Sequence, residues 1–83
     1  MRPPTLAEQI GPRTPGAIYR TSDGLFEVLD LIVAPDRASA LLLRRSARWA
    51  VIVRDLVRPG AQPFAVGSVW TSADQLVHTE PER

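Results

Sequence analysis

One apolar stretch near the middle of the chain, Trp49 to Val57, most constrains what the sequence can fold into. It is rich in β-branched and aromatic residues, which are typical of strands. Because side chains on a strand alternate between two faces, both faces of this stretch are apolar as far as Val53. A strand that is apolar on both faces is normally covered on both, so the sequence predicts an interior strand around which the domain packs.

A hairpin is predicted before this strand. Residues 17–20 form a short strand, the pair Asp23-Gly24 favours a tight turn, and Leu25 to Val33 form the return strand. Each face of the return strand carries one acid, Glu27 or Asp30, in an otherwise apolar row. The pattern therefore predicts either a bulge that shifts the register or ion pairs with the arginines at positions 20 and 54.

A helix is predicted from Asp36 to Ser46, because this segment is rich in good helix formers. Asp36 would be its N-cap, and arginines would suit its C-terminal end. Ala38, Leu41 and Leu42 would pack into the core beside Trp49. In the alternative, residues 34–37 form a turn and residues 38–43 form a third strand, which would make the domain all β.

The last strand is predicted from Phe64 to Trp70, followed by a helical turn from Ser72 to Val77 because residues 71–74 resemble a capping box. Trp49 and Trp70 would then lie near each other in or beside the core. Residues 1–15, with four prolines, are predicted to be a flexible N-terminal arm, and residues 78–83 a flexible tail. Residues 16–77 would form one small α+β domain, an antiparallel sheet of order β-β-α-β-β with one helix packed on it.

The composition argues against an enzyme. The chain has no cysteine, a single histidine at position 78 and no glycine-rich loop, so we predict no catalytic residue, metal ligand or cofactor. All ten basic residues are arginine, a bias typical of high-GC bacterial genomes, and the net charge of +1 creates little long-range steering. No apolar run reaches the length of a signal peptide or membrane span, so we expect a cytoplasmic protein without a membrane partner.

One local concentration of charge is a candidate binding patch, formed by Arg37, Arg44, Arg45, Arg48 and Trp49. Four arginines within a short segment can bind phosphates or an acidic partner. The competing interpretation is a solvated surface on which arginine stems cover apolar neighbours. The aromatic residues all fall within predicted strands, which favours a place in the core over stacking on bases.

The opening hairpin resembles a group of short, uncharacterised bacterial domains. The resemblance is carried by Gly16, by Tyr19-Arg20, by Gly24 and by the strand Phe26-Glu27-Val28-Leu29. A later Trp-Val-Arg-Pro-Leu element of that group is matched in looser form by Trp49 and residues 53–56. The resemblance implies a small SH3-like barrel, the all-β alternative to the α+β fold, and implies no activity.

Two functions follow as hypotheses. The first is a non-enzymatic protein-interaction or accessory module, with homodimerisation a further expectation, because one short helix cannot cover both apolar faces of four strands. The second is weak nucleic-acid binding without sequence specificity through the arginine patch, with Trp49 or Tyr19 as a stacking surface.

Overall fold

The computed structural model describes residues 2–58 and 60–78. The elements in chain order are α1 (Leu6–Ile10), β1 (Ile18–Thr21), β2 (Gly24–Ile32), α2 (Pro35–Leu42), β3 (Ala50–Asp55), β4 (Phe64–Val66) and β5 (Gln75–His78). The strands form one antiparallel sheet of order β4-β3-β2-β1-β5. A small α+β domain is therefore confirmed. Within the described ranges, no helix has both the length and the apolar character that crossing a membrane requires.

The predicted interior strand is confirmed as β3, which pairs with β2 on one side and β4 on the other. Ala50, Val51 and Val53 are completely buried. Val51 and Val53 belong to a core cluster with Ile10 of α1, on what we call the α1 face of the sheet. Ala50 belongs to a second, smaller cluster with Ala38 of α2, on the opposite or α2 face.

Strand β2 has both features that its two acids predicted. Its register with β3 shifts between Val28 and Asp30, which leaves Leu29 as a bulge, and Glu27 forms an ion pair with Arg54 of β3. Because of the bulge, each residue of β2 after Leu29 lies on the opposite face of the sheet from the one that strict alternation would give. Glu27 and Asp30 therefore share the α2 face, whereas the sequence predicted that they lie on opposite faces. Asp30 accepts a hydrogen bond from the backbone N–H of Leu31 and forms no ion pair with any arginine that the structure describes.

Helix α2 replaces the alternative third strand, but it begins and ends earlier than predicted. Ala34, not Asp36, is the N-cap, because Pro35 occupies the first turn, where its missing N–H costs nothing. The helix ends at Leu42 because Leu43 adopts the left-handed conformation. The predicted core position of Leu41 is wrong, since this residue is 46% exposed, whereas Ala38 is buried and Leu42 is half-buried.

The C-terminal part of the domain departs from the prediction. Strand β4 ends at Val66, and Trp70 lies in the loop that follows. The expected helical turn at residues 72–77 is wrong: hydrogen bonds between Thr71 and Asp74 close a turn, and β5 starts immediately after it. His78 is an exposed residue at the end of β5, and the rest of the predicted tail, residues 79–83, lies outside the described residues.

The N-terminal segment is packed on the sheet where the sequence predicted a flexible arm. Thr5 and Glu8 form a capping box that starts α1. The hydrogen bond from the Thr5 N–H, assisted by Arg2, lowers the pKa of the Glu8 carboxyl. Ile10 is buried in the α1-face cluster. The packed domain therefore begins well before residue 16.

Candidate binding pocket

A buried arginine fixes the N-terminal segment and one wall of the candidate site. The Arg13 side chain is 2% exposed, and its guanidinium carbon lies 5.3 to 5.6 Å from the ring centres of Tyr19, Trp49 and Trp70. Such distances are typical of cation–π contacts. No carboxylate is needed, because three backbone carbonyls accept its hydrogen bonds: Ile10 at 2.7 Å, Gln9 at 2.9 Å and Ser68 at 2.8 Å.

Arg13 thus connects two segments that are distant in the sequence. The carbonyls of residues 9 and 10 are at the C-terminal end of α1, where unsatisfied backbone oxygens carry partial negative charge. The carbonyl of Ser68 belongs to the loop after β4. A single guanidinium therefore holds α1 against that loop, and we call Arg13 with its three rings the Arg13 cage.

Gln9 links the Arg13 cage to the surface. Its backbone oxygen accepts from both Arg13 and the Trp70 N–H, the latter at 2.8 Å. Its side-chain oxygen accepts from the indole N–H of Trp49 at 2.9 Å. The same side chain lines a surface pocket of about 230 Å³ between α1, the α2–β3 loop and the loop after β4.

We call this cleft the arginine pocket. Its lining residues come from these three segments and from the last residue of α2: Leu6, Gln9, Leu42, Arg44, Ser46, Ala47, Arg48, Trp49, Gly67 and Val69. The Arg44 guanidinium lies against Gly67, where a Cβ atom would stand 2.8 Å from one Arg44 nitrogen. The pattern of the last predicted strand allows either a bulge or the approach of another backbone at Gly67. In the structure, the side chains of Leu42 and Arg44 are what come close to it.

The structure brings three members of the predicted patch to this pocket and leaves two out. Arg44, Arg48 and Trp49 line it, whereas Arg37 on α2 and Arg45 are exposed elsewhere. Trp49 is only 5% exposed, so it supplies a wall and cannot serve as a stacking surface. Tyr19, the other proposed stacking residue, is 2% exposed, so that part of the nucleic-acid hypothesis is wrong.

No acid that the structure describes forms an ion pair with the arginines that line the pocket. Across residues 2–58 and 60–78, ion pairs join Arg2 to Glu8, Arg54 to Glu27 and Arg58 to Asp55, and none involves the patch arginines. Among the described residues that line the pocket, none is an acid. The pocket therefore offers two guanidinium groups to an anion from solvent.

The chemistry that this arrangement supports is binding. Guanidinium groups stay protonated in proteins and form forked hydrogen bonds with carboxylate or phosphate oxygens. The Ser46 hydroxyl has no general base among the lining residues to activate it. In the described part of the chain, histidine, aspartate and glutamate form no group that could hold a metal ion.

Several site residues were not predicted from the sequence. Gln9 and Leu6 lie in the segment interpreted as a flexible arm, and Arg13 was assigned no role. The signal available for α1 was Thr5-x-x-Glu8, the same capping pattern that was recognised at Thr71 to Asp74, where no helix forms. Nothing in the sequence indicated which carbonyls would accept from Arg13.

Comparison of the chain with protein-family models, with curated proteins and with solved structures finds no match.

Proposed function

We propose that this chain is a small, non-enzymatic protein-interaction module whose binding site is the arginine pocket. The observation that carries the proposal is the placement of Arg44 and Arg48 on one pocket that none of the described acids lines. Apolar side chains of Leu6, Leu42 and Val69 form the other walls. This mixture fits an acidic side chain presented by a partner protein better than a free inorganic ion, because the apolar walls favour contact with carbon atoms.

We also propose the finer fold assignment, an SH3-like arrangement of the strands. It is supported by the strand order, in which β1 lies between β5 and β2 while β2 to β4 form a meander. Strand β2 also pairs with β1 through residues 24–27 and with β3 through its later part, with the bulge at Leu29 between Val28 and Asp30. A long, bent strand shared in this way is how a small sheet curls toward a barrel.

Homodimerisation has less support than the sequence indicated. That expectation rested on apolar strand faces that one helix could not cover. In the structure, Ile10 and Arg13 from the N-terminal segment pack over the α1 face as well. The uncovered apolar area is therefore smaller than the four-strand prediction required.

Nucleic-acid binding is the second candidate, favoured by the exposure of Arg37, Arg44, Arg45 and Arg48. With Trp49 and Tyr19 buried, neither ring can stack on a base, so this function would rest on phosphate contacts by the arginines. Such contacts depend on the number of arginines and not on which of them line a pocket. The two functions therefore differ in which arginines they require.

The test uses two matched double variants, Arg44→Ala with Arg48→Ala and Arg37→Ala with Arg45→Ala. Both remove the same charge from the same segment, and only the first removes the pocket arginines. Amide NMR of the protein is recorded during titration with a capped peptide of glutamate, glycine and serine, and in parallel with a mixed-sequence DNA duplex. We expect the peptide to shift the amides of Ser46, Arg48 and Gly67.

The pocket variant should weaken this binding at least about tenfold, since each charge-assisted hydrogen bond contributes about 1.5–3 kcal/mol. The control variant should bind almost as the natural chain does. No peptide binding, or equal loss in both variants, would overturn the proposal. Steeply salt-dependent DNA binding that both variants weaken alike would favour the nucleic-acid function instead.

A further inference from the structure

A second, apolar groove lies beside the arginine pocket on the other side of α1. It has a volume of about 440 Å³ and is lined by Leu6, Ala7, Ile10 and Leu31 together with Gly11, Arg13 and Thr14. None of the acids that the structure describes lines it. Leu6 lines both this groove and the arginine pocket, so the two form one continuous surface with the 42% exposed Leu6 side chain as the ridge between them.

We propose that this continuous surface binds one extended peptide segment of a partner protein, with an acidic residue in the arginine pocket and a large aliphatic residue in the groove. The inference rests on the proposed function of the arginine pocket. Charge complementarity selects the acid, because Arg44 and Arg48 line only the first site. The apolar lining of the groove selects the aliphatic side chain.

The geometry also sets the spacing between the two residues of the partner. A peptide that passes from one site to the other must cross α1, and a helix with its side chains is about 10 Å across. Extended chain advances about 3.4 Å per residue. The acid and the aliphatic residue should therefore be separated by about three positions.

The test compares two capped peptides that differ only in their aliphatic residues. The first has two central glutamates, with a leucine three positions beyond them on each side so that either chain direction is served, and the second has serine in place of both leucines. We expect the leucine peptide to bind about tenfold more tightly. The free energy gained by burying one leucine side chain, minus the entropic cost of ordering it, is consistent with a factor of this size.

The matched variants are Ala7→Gln, which fills the groove, and Ala40→Gln on α2. Both alanines are exposed helical residues, and glutamine is a good helix former, so both variants should fold. Ala7→Gln should remove the tenfold gain and leave binding of the serine peptide unchanged, whereas Ala40→Gln should change neither.

The outcomes separate this inference from the proposed function. If both peptides bind equally and both depend on Arg44 and Arg48, the groove proposal is overturned while the pocket proposal stands. If neither binds, both are overturned. If sedimentation shows that the free protein is a dimer that Ala7→Gln dissociates, a second copy covers the groove, and the peptide proposal is likewise overturned.

Discussion

Arg13 and the pair Arg44 and Arg48 are the same kind of side chain in opposite settings. Arg13 is buried among three aromatic rings, with three carbonyls accepting its hydrogen bonds. Arg44 and Arg48 line an open pocket and form none of the ion pairs in the described residues. The difference shows two roles for the same side chain. Where acceptors within the fold take up the N–H donors of the guanidinium, the arginine stabilises the structure; where they do not, the donors remain available to a ligand.

The Arg13 cage and the arginine pocket share one residue, so variants on either side of it can be compared. Gln9 accepts a hydrogen bond from Arg13 with its backbone oxygen, and its side chain lines the arginine pocket. Changes on the Arg13 side should therefore lower stability, and changes on the pocket side should alter binding. The following predictions run from the largest expected effect on stability to the smallest.

The largest effect is expected from Arg13→Ala. It removes the side-chain donor of the Ile10 and Ser68 carbonyls, leaves the Gln9 carbonyl with the Trp70 N–H alone, and removes contacts with three rings. We expect a loss of about 3 kcal/mol or more. Small domains have only about 5–15 kcal/mol in total. Urea unfolding followed by tryptophan fluorescence measures the loss. Arg13→Lys should also destabilise, because one ammonium cannot reach all three carbonyls.

A substitution at Arg13 that leaves the midpoint of urea unfolding unchanged would show that the N-terminal segment is not fixed by this side chain. The matched reference is Arg37→Ala, an exposed arginine of the same chain for which we expect a change within about 0.5 kcal/mol.

The second prediction concerns Gly11, which connects α1 to Arg13. Its φ of +66° disfavours other residues, and a Cβ atom there would stand 2.5 Å from the Cγ of Trp70. Gly11→Ala should cost about 2–3 kcal/mol, from backbone strain of about 1–2 kcal/mol together with displacement of the indole. Gly60→Ala is the control, because Gly60 has a φ of +81° and, apart from its chain neighbours, no described atom lies within 4 Å of the added carbon.

In the control variant, Gly60→Ala, the free energy of unfolding should fall only by the backbone strain of about 1–2 kcal/mol. Equal losses in urea unfolding for the two variants would mean that the contact between Gly11 and Trp70 contributes nothing to stability.

These positions also show how far the sequence could predict the fold. The two-sided apolar pattern of Trp49 to Val53 was sufficient to predict an interior strand. The acids of β2 left a bulge and ion pairs with arginines as alternatives, and the structure has a bulge together with one such pair. The burial of Arg13 was not predictable, because an arginine between prolines in a polar segment has the local pattern of an exposed residue. Its partners are carbonyls that the fold brings together from residues 9, 10 and 68.

The candidate site was predictable in part for the same reason. The clustering of Arg44, Arg45, Arg48 and Trp49 is visible in the sequence, so the patch could be named. Which arginines meet on one pocket depends on the end of α2 at the left-handed Leu43 and on the position of Gln9. The end of α2 and the position of Gln9 both depend on tertiary packing. The local sequence pattern and the composition do not indicate that packing.

The third prediction concerns Tyr19, the only tyrosine, which lies against Arg13. Burial raises the pKa of its hydroxyl above the ordinary value of 10.0, and the Arg13 guanidinium acts in the opposite direction. Since the raised pKa belongs to the folded state, stability should be full below about pH 10 and fall as the pH rises through the folded pKa. Tyrosinate absorbance against pH, together with urea unfolding at each pH, measures this. A Tyr19 pKa below that of a free tyrosine amide would mean that the Arg13 charge outweighs burial.

The fourth prediction is Gln9→Glu, which acts on both sides of the comparison. A carboxylate oxygen can still accept from the Trp49 indole N–H, so stability should change by less than about 1 kcal/mol. The added negative charge lies in the pocket beside Arg44 and Arg48 and should compete with an acidic peptide. We expect peptide binding to weaken at least about tenfold in an NMR titration. Gln62→Glu, at an exposed loop position outside the pocket lining, adds the same charge and should leave binding nearly unchanged.

The most direct test of the division between Arg13 and the pocket arginines is urea unfolding of Arg44→Ala with Arg48→Ala, with and without the acidic leucine peptide. Without peptide, the free energy of unfolding should match that of the natural chain within about 0.5 kcal/mol for each substitution. With peptide at about one hundred times its dissociation constant for the natural chain, that chain should gain about 2.7 kcal/mol, and the variant should gain far less. A large loss of stability without peptide, or an undiminished gain with it, would contradict the account.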